Sequence, residues 1–131
     1  MELICSKDLK KPDNYEFLTT PLWGKVLFPA SLNIVTAHPK AGKSSFLYSW
    51  AGNVTRGLEW GGIEPPRPLK VVYWELENPE VIQYNKVNAV ANDNFWVSKS
   101  GWAEDFDIEK VPKKLQAAGF WPDILIIDPF V

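Results

Sequence analysis

Cysteine is almost missing from this chain. Cys5 is the single one among 131 residues, which excludes an internal disulfide and any multi-cysteine metal site and suits a reducing compartment. Long apolar runs are missing too. No window approaches the ~18 uninterrupted apolar residues of a membrane span, so no membrane contact is expected. The first residues, Met1 to Lys7, offer neither a basic stretch nor a long apolar core, which argues against export and for a cytoplasmic location. Neither sign of charge dominates. Fourteen basic residues against sixteen acidic ones leave a formal charge of −2, with a pI near 5.4. That balance carries no overall nucleic-acid signature, and no local basic patch stands out. Internal repeats and low-complexity tracts are absent as well.

What the chain does have is apolar mass. Apolar residues make up 46% of it, including seven Trp and seven Phe, enough for one compact domain with a real core. Residues 1–20 are mixed and read as a lead-in segment; the domain proper is expected over 21–131. Leu22 to Pro29 is apolar and punctuated at both ends, and Trp23 within it is expected to pack in the core rather than border a nucleotide base.

The chain is organised around Ser31 to Phe46. The apolar Leu32, Ile34 and Val35 predict a strand over 32–37, and a turn of small residues follows, closing on Gly42-Lys43-Ser44. An apolar-periodic segment begins at once, with Phe46, Leu47, Trp50, Ala51 and Val54 at helical spacing, which predicts a helix over 43–56 stopped at Gly57. Strand, small-residue loop and helix, in that order, are the layout of a phosphate-binding loop. Successive backbone N–H groups and the positive end of a new helix form an anion socket. The socket is expected from Ala37, His38, Pro39, Lys40, Ala41, Gly42, Lys43, Ser44 and Ser45, with His38 and Pro39 filling variable positions. Lys43 is placed to reach the β- and γ-phosphates of ATP, and the Ser44 hydroxyl to hold Mg²⁺. The consensus glycine at the start of such loops is Ala37 here, which costs little if its φ is negative.

Further on, Leu69 to Glu77 reads as a strand, followed by a helix with Asn78 as N-cap, Pro79 as its first residue and a stripe of Val81, Ile82, Tyr84 or Asn85, Val87 and Val90, closing near Asn92. Phe95-Trp96-Val97 predicts a brief strand, and 98–106 a loop. Ile108, Val111, Leu115 and Ala118 predict a helix closed by Gly119. Ile124 to Ile127, four aliphatics ending in Asp128, predict a fully buried strand with its functional residue at the carboxyl end. The alternation of strands and helices predicts an α/β fold of three layers with a mostly parallel sheet, in which ligands sit beyond the carboxyl ends of the strands. The loop at 37–45, Glu75 or Glu77, and Asp128 all fall there. Asp128 is expected to bind Mg²⁺ beside Ser44. Pro129 occupies the place where many such ATPases carry a water-polarising Glu, so that carboxylate must come from elsewhere. Glu77, nearer the strand end, is preferred, and Glu75 is left as surface charge.

Three stretches together carry a resemblance: Ala37 to Phe46, Val71 to Glu80 (Val-Val-Tyr-Trp-Glu-Leu-Glu-Asn-Pro-Glu) and Ile124 to Phe130. In this order they resemble RecA-like P-loop ATPases, nearest to the AAA-family RecA-type domains related to hexameric replicative helicases. The likeness covers about residues 20–131. It implies Lys43 and Ser44 as Walker A residues, Asp128 as the Walker B acid and Glu77 as catalytic base, acting with Lys43 on Mg²⁺·ATP. It also implies single-stranded DNA as a partner, through parts not found here, and a homo-hexamer. Family order further implies strands near 95–97, 70–77 and 124–128 lying side by side, with a slot between them and 32–37 and the domain cut short after the Walker B strand. Two other functions stand beside ATP hydrolysis in DNA replication or repair. One is a nucleotide-binding regulatory or scaffold module without turnover. The other is a P-loop kinase for a small molecule, against which the extra strand ending in Glu argues.

Overall fold

A computed structural model describes residues 2–38, 42–99 and 107–128. The predicted loop over 98–106 lies mostly outside these residues. So do Pro39, Lys40 and Ala41 of the expected phosphate loop, and Pro129.

Helix α1 (Tyr15–Thr19) belongs to a lead-in that is exposed along nearly its whole length. Helix α2 (Lys43–Val54) follows the loop, and strand β1 (Val71–Glu75) comes next. Then come α3 (Glu80–Asn88), β2 (Phe95–Val97), α4 (Val111–Ala118) and β3 (Ile124–Asp128). The three strands form one parallel sheet in the order β2-β1-β3. This is the expected neighbourhood of the three segments. β1 is central, with Val71 opposite both Phe95 and Ile124, and Glu75 opposite Asp128 at the far end.

Because side chains alternate along a strand, β1 serves two cores at once. Val71 and Tyr73 join Tyr48, Trp50, Ala51 and Val54 of α2, with Val87 of α3 and Val90, in the turn just after it, against them. Val72 turns the other way and joins Val111 and Leu115 of α4 and Phe120. Helices on both faces of a parallel sheet make the three expected layers. Trp23 lies in the first core, edge-on to Trp50 with ring centroids 5.7 Å apart, in agreement with its expected use.

Four expectations are corrected. Residues 31–38 form no strand and pair with no neighbour among the described residues. Leu32 and Ile34 are 86% and 79% exposed. A lone extended segment has nothing to satisfy its ladder groups or cover its apolar faces. β3 is half-buried rather than fully buried, with Asp128 its one buried residue, because only one of its edges is paired among the described residues. The stripe on α3 holds only in its second half: Val87, and Val90 just past the helix end, pack against the first core as expected, whereas Val81, Ile82 and Tyr84 are exposed and Gln83 is buried in their stead. On α2, Phe46 is 43% exposed and Tyr48 takes the buried place.

Candidate functional site

The site lies where α2 begins and where β1 and β3 end. Gly42 adopts φ 86°, ψ 21°, a left-handed conformation that an L side chain resists, and its carbonyl accepts from Phe46 N–H at 2.9 Å to start α2. Ala37 is not among the residues with positive φ, a group whose one described non-glycine member is Ala30, so alanine is no backbone burden there. The adjoining His38 is exposed.

Lys43 and Ser44, the first two residues of α2, meet Asp128 from the opposite end of the chain. Ser44 Oγ donates to Asp128 Oδ2 at 2.8 Å. Lys43 Nζ stands 2.9 Å from Oδ1. A third contact comes from the neighbouring strand, where the Tyr73 hydroxyl also donates to Oδ2. Ser45 is exposed on the first turn. Burial alone would push the Asp128 carboxyl up. Hydrogen bonds from Tyr73, Lys43 and Ser44, with the Lys43 charge, outweigh it and hold the group below the usual aspartate value. Lys43 is raised in turn, chiefly by its hydrogen bond to Asp128, with further charge from Glu77 and Glu75.

The two glutamates sit differently from expectation. Glu75, read as surface charge, is only 2% exposed, because it falls on the same face of β1 as Val71 and Tyr73. Its Oε1 accepts from the Tyr48 hydroxyl at 3.0 Å and from Asn78 Nδ2 at 2.6 Å. Asn78 is therefore not the N-cap of α3; Pro79 holds that position and the helix starts at Glu80. Glu77 lies past the strand in the bend, with its side chain exposed, yet near enough to Lys43 to raise its pKa. The structure thus brings Lys43, Ser44 and Asp128 into contact and leaves Glu77 at the rim.

Tyr48 and Tyr73 escaped the sequence analysis as site residues. Their rings stack at 4.1 Å with 13° between planes, one hydroxyl serving Glu75 and the other Asp128. Burial first, then the nearby carboxylates, push both phenols up, so they remain protonated donors. A signal existed: a Tyr at a core position needs a partner for its hydroxyl.

A helix N-terminus opened by a left-handed glycine, with Lys and Ser on it and an acid at the end of a parallel strand, defines a P-loop nucleotide-binding domain. The family model for the AAA domain matches residues 19–131, and the chain belongs to that family, as an AAA-type P-loop ATPase domain. No curated protein and no solved structure matches it. Among the described residues no helix is long and apolar enough to cross a membrane.

Proposed function

We propose that this domain binds Mg²⁺·ATP and hydrolyses it as a RecA-like ATPase of DNA replication or repair. The observation that carries the reading is the meeting of Lys43, Ser44 and Asp128 at one point, with Ser44 and the acid 84 positions apart in the sequence. A chance Gly-Lys-Ser at a helix start has no reason to find a strand-end carboxylate. The Ser44 hydroxyl and Asp128 carboxylate are hard oxygen donors, fitting Mg²⁺, which takes one or two such groups and completes its shell with water and phosphate oxygens. No cluster of three or more metal-binding side chains exists among the described residues, and a magnesium ion bound largely through nucleotide needs none. When bound, it would neutralise charge on the phosphates.

The chain's own residues do the rest. Backbone N–H groups around Gly42 and the start of α2 cradle the β-phosphate, and Lys43 places its charge between the β- and γ-phosphates. The phosphates would lie along the stretch that the sequence assigns to the loop, Ala37 to Ser45. Glu77, at the rim and within electrostatic reach of Lys43, accepts a hydrogen bond from the attacking water and orients it in line. Single-stranded DNA, a hexameric ring and a cytoplasmic setting come to this reading from the family resemblance and the composition.

Lys43→Ala abolishes binding of a fluorescent ATP analogue, whereas Glu77→Gln keeps the affinity and lowers turnover by a factor on the order of 10²–10⁴, the size of a general-base contribution. Unchanged turnover in the Glu77 variant reassigns the base. The exposure of the Glu77 side chain favours one second reading, a nucleotide-binding module without turnover. Phosphate release measured with and without single-stranded DNA separates the two.

A further inference from the structure

Glu75 is buried at the end of β1, and no step above uses it. A carboxylate taken this far from water is costly unless donors surround it. The donors here come from two separate elements. Tyr48, from α2, gives its hydroxyl to Oε1 at 3.0 Å, and Asn78, from the bend after β1, gives Nδ2 to the same oxygen at 2.6 Å. The other oxygen faces the backbone N–H of Glu77 at 3.5 Å. The backbone of Glu75 is itself fixed, its N–H donating to Ser98 Oγ at 2.8 Å.

One side chain therefore joins the helix that begins with Lys43 and Ser44 to the bend that carries Glu77. β1 ends at Glu75, and beyond it one ladder contact remains, Leu76 N–H to the Asp128 carbonyl at 2.8 Å. Glu77 and Asn78 have left the sheet, and the Glu75 carboxylate is what holds their bend. Surface charge does not describe a group 2% exposed. Nor does a reacting base, since Oε1 already accepts two hydrogen bonds.

We propose that Glu75 is a positioning residue: its buried carboxylate, gripped by Tyr48 and Asn78, sets the bend that presents Glu77 and ties it to the nucleotide-binding helix. The proposal rests on Glu77 as the water-orienting group. A carboxylate displaced by about 1 Å loses on the order of 10²-fold in rate, so the clamp acts on turnover far more than on affinity. It also makes Tyr48 a member of the linkage, although its hydroxyl meets neither phosphate nor Mg²⁺ in the proposed mechanism.

The test uses the full chain and two readouts, ATP kinetics and amide hydrogen exchange at residues 76–78. Glu75→Ala and Tyr48→Phe are expected to lower kcat at least tenfold, with KM for Mg²⁺·ATP within about twofold, and to speed exchange of the Glu77 amide about tenfold. Glu75→Gln keeps an acceptor for Tyr48 and Asn78, so both readouts stay within about threefold of the parent. Wild-type exchange at 76–78 in Glu75→Ala overturns the clamp. A Gln variant as inactive as the Ala variant, with exchange unchanged, also overturns it, because the carboxylate itself would then react. Loss of kcat, affinity and thermal midpoint together reduces Glu75 to a structural part and equally ends the proposal. Failure of the function above has a different signature: Glu77→Gln leaves turnover untouched, or the parent shows none, while the exchange readout still decides whether the clamp exists.

Discussion

At position 42 the backbone turns through φ 86°, and among the described residues nothing stands within 4 Å of the place a Cβ would occupy. Gly42→Ala meets no atom of the described residues, so the cost is conformational, on the order of 1–2 kcal/mol. Urea unfolding is expected to show that loss, and nucleotide affinity to fall with it, because the same turn opens the N-terminus of α2. An alanine variant as stable as the parent would show that the turn relaxes freely. Other residues of the site were less visible in the sequence. Lys43, Ser44 and Asp128 announced themselves because phosphate chemistry asks for those types at those places. Tyr48 and Tyr73 did not: Tyr48 lay off the predicted apolar stripe of α2, and the destination of a buried Tyr hydroxyl is decided by tertiary packing. Glu75 and Glu77, two apart on a presumed strand, were expected to share one face, with Glu75 the solvated one; the strand ends between them, and it is Glu75 that is buried.

Helix α2 passes so close to Val90, in the turn just after α3, that Gly52 leaves no room for a side chain. A Cβ there would stand 2.5 Å from Val90 Cβ and 2.7 Å from its Cγ1. Gly52→Ala is expected to cost about 1–3 kcal/mol by overpacking. Because the three nearest atoms all belong to Val90 and two of them are its γ-methyls, Gly52→Ala with Val90→Ala should recover part of that loss, a coupling readable in a double-mutant cycle. Simple additivity of the two changes would mean that the helices separate instead. At this scale the sequence conveyed which elements exist and where most of them end. α2, β1, β2, α4 and β3 lie close to their predicted positions, and Gly119 closes α4 at φ 70°. It failed where one face had to be chosen. The period on α3 fits two faces, and only contact with α2 and the buried Gln83 picks one. The strand over 32–37 failed for another reason: alternation describes a strand's sides, but a strand also needs a neighbour.

Taken whole, the molecule holds its sheet together at the strand starts as well as at the site. Arg67 grips Asp123 with both nitrogens, at 2.7 and 2.8 Å, and Asp123 also accepts from Lys70 N–H at 2.8 Å, joining the entry of β1 to that of β3. The Arg67 hydrogen bonds lead the influences that hold the Asp123 carboxyl below its ordinary value, against the opposing pull of burial. A lowered folded-state value means that the contribution is present above the unfolded aspartate value of about 4 and fades as pH falls through the folded one. Arg67 is half-exposed, so the pair is worth only about 0.5–1 kcal/mol. Asp123→Asn should lower stability by that amount at neutral pH and converge with the parent in acid. Curves that stay parallel down to pH ~2 would assign the acid loss to other carboxylates. Layer order and parallel sense were legible from the alternation of elements, and the side-by-side placing of the three strands from the family resemblance. The pin at Arg67 and Asp123 was not, because it joins two loops with no motif of their own.

β3 is half open along its length and sealed only at its last residue, Asp128. The atom set that would steady a magnesium ion is therefore also the rivet fastening this strand's tip to α2 and β1. Evolution cannot trade one duty against the other at that position. A sequence that abandons nucleotide chemistry must still find another way to moor the strand.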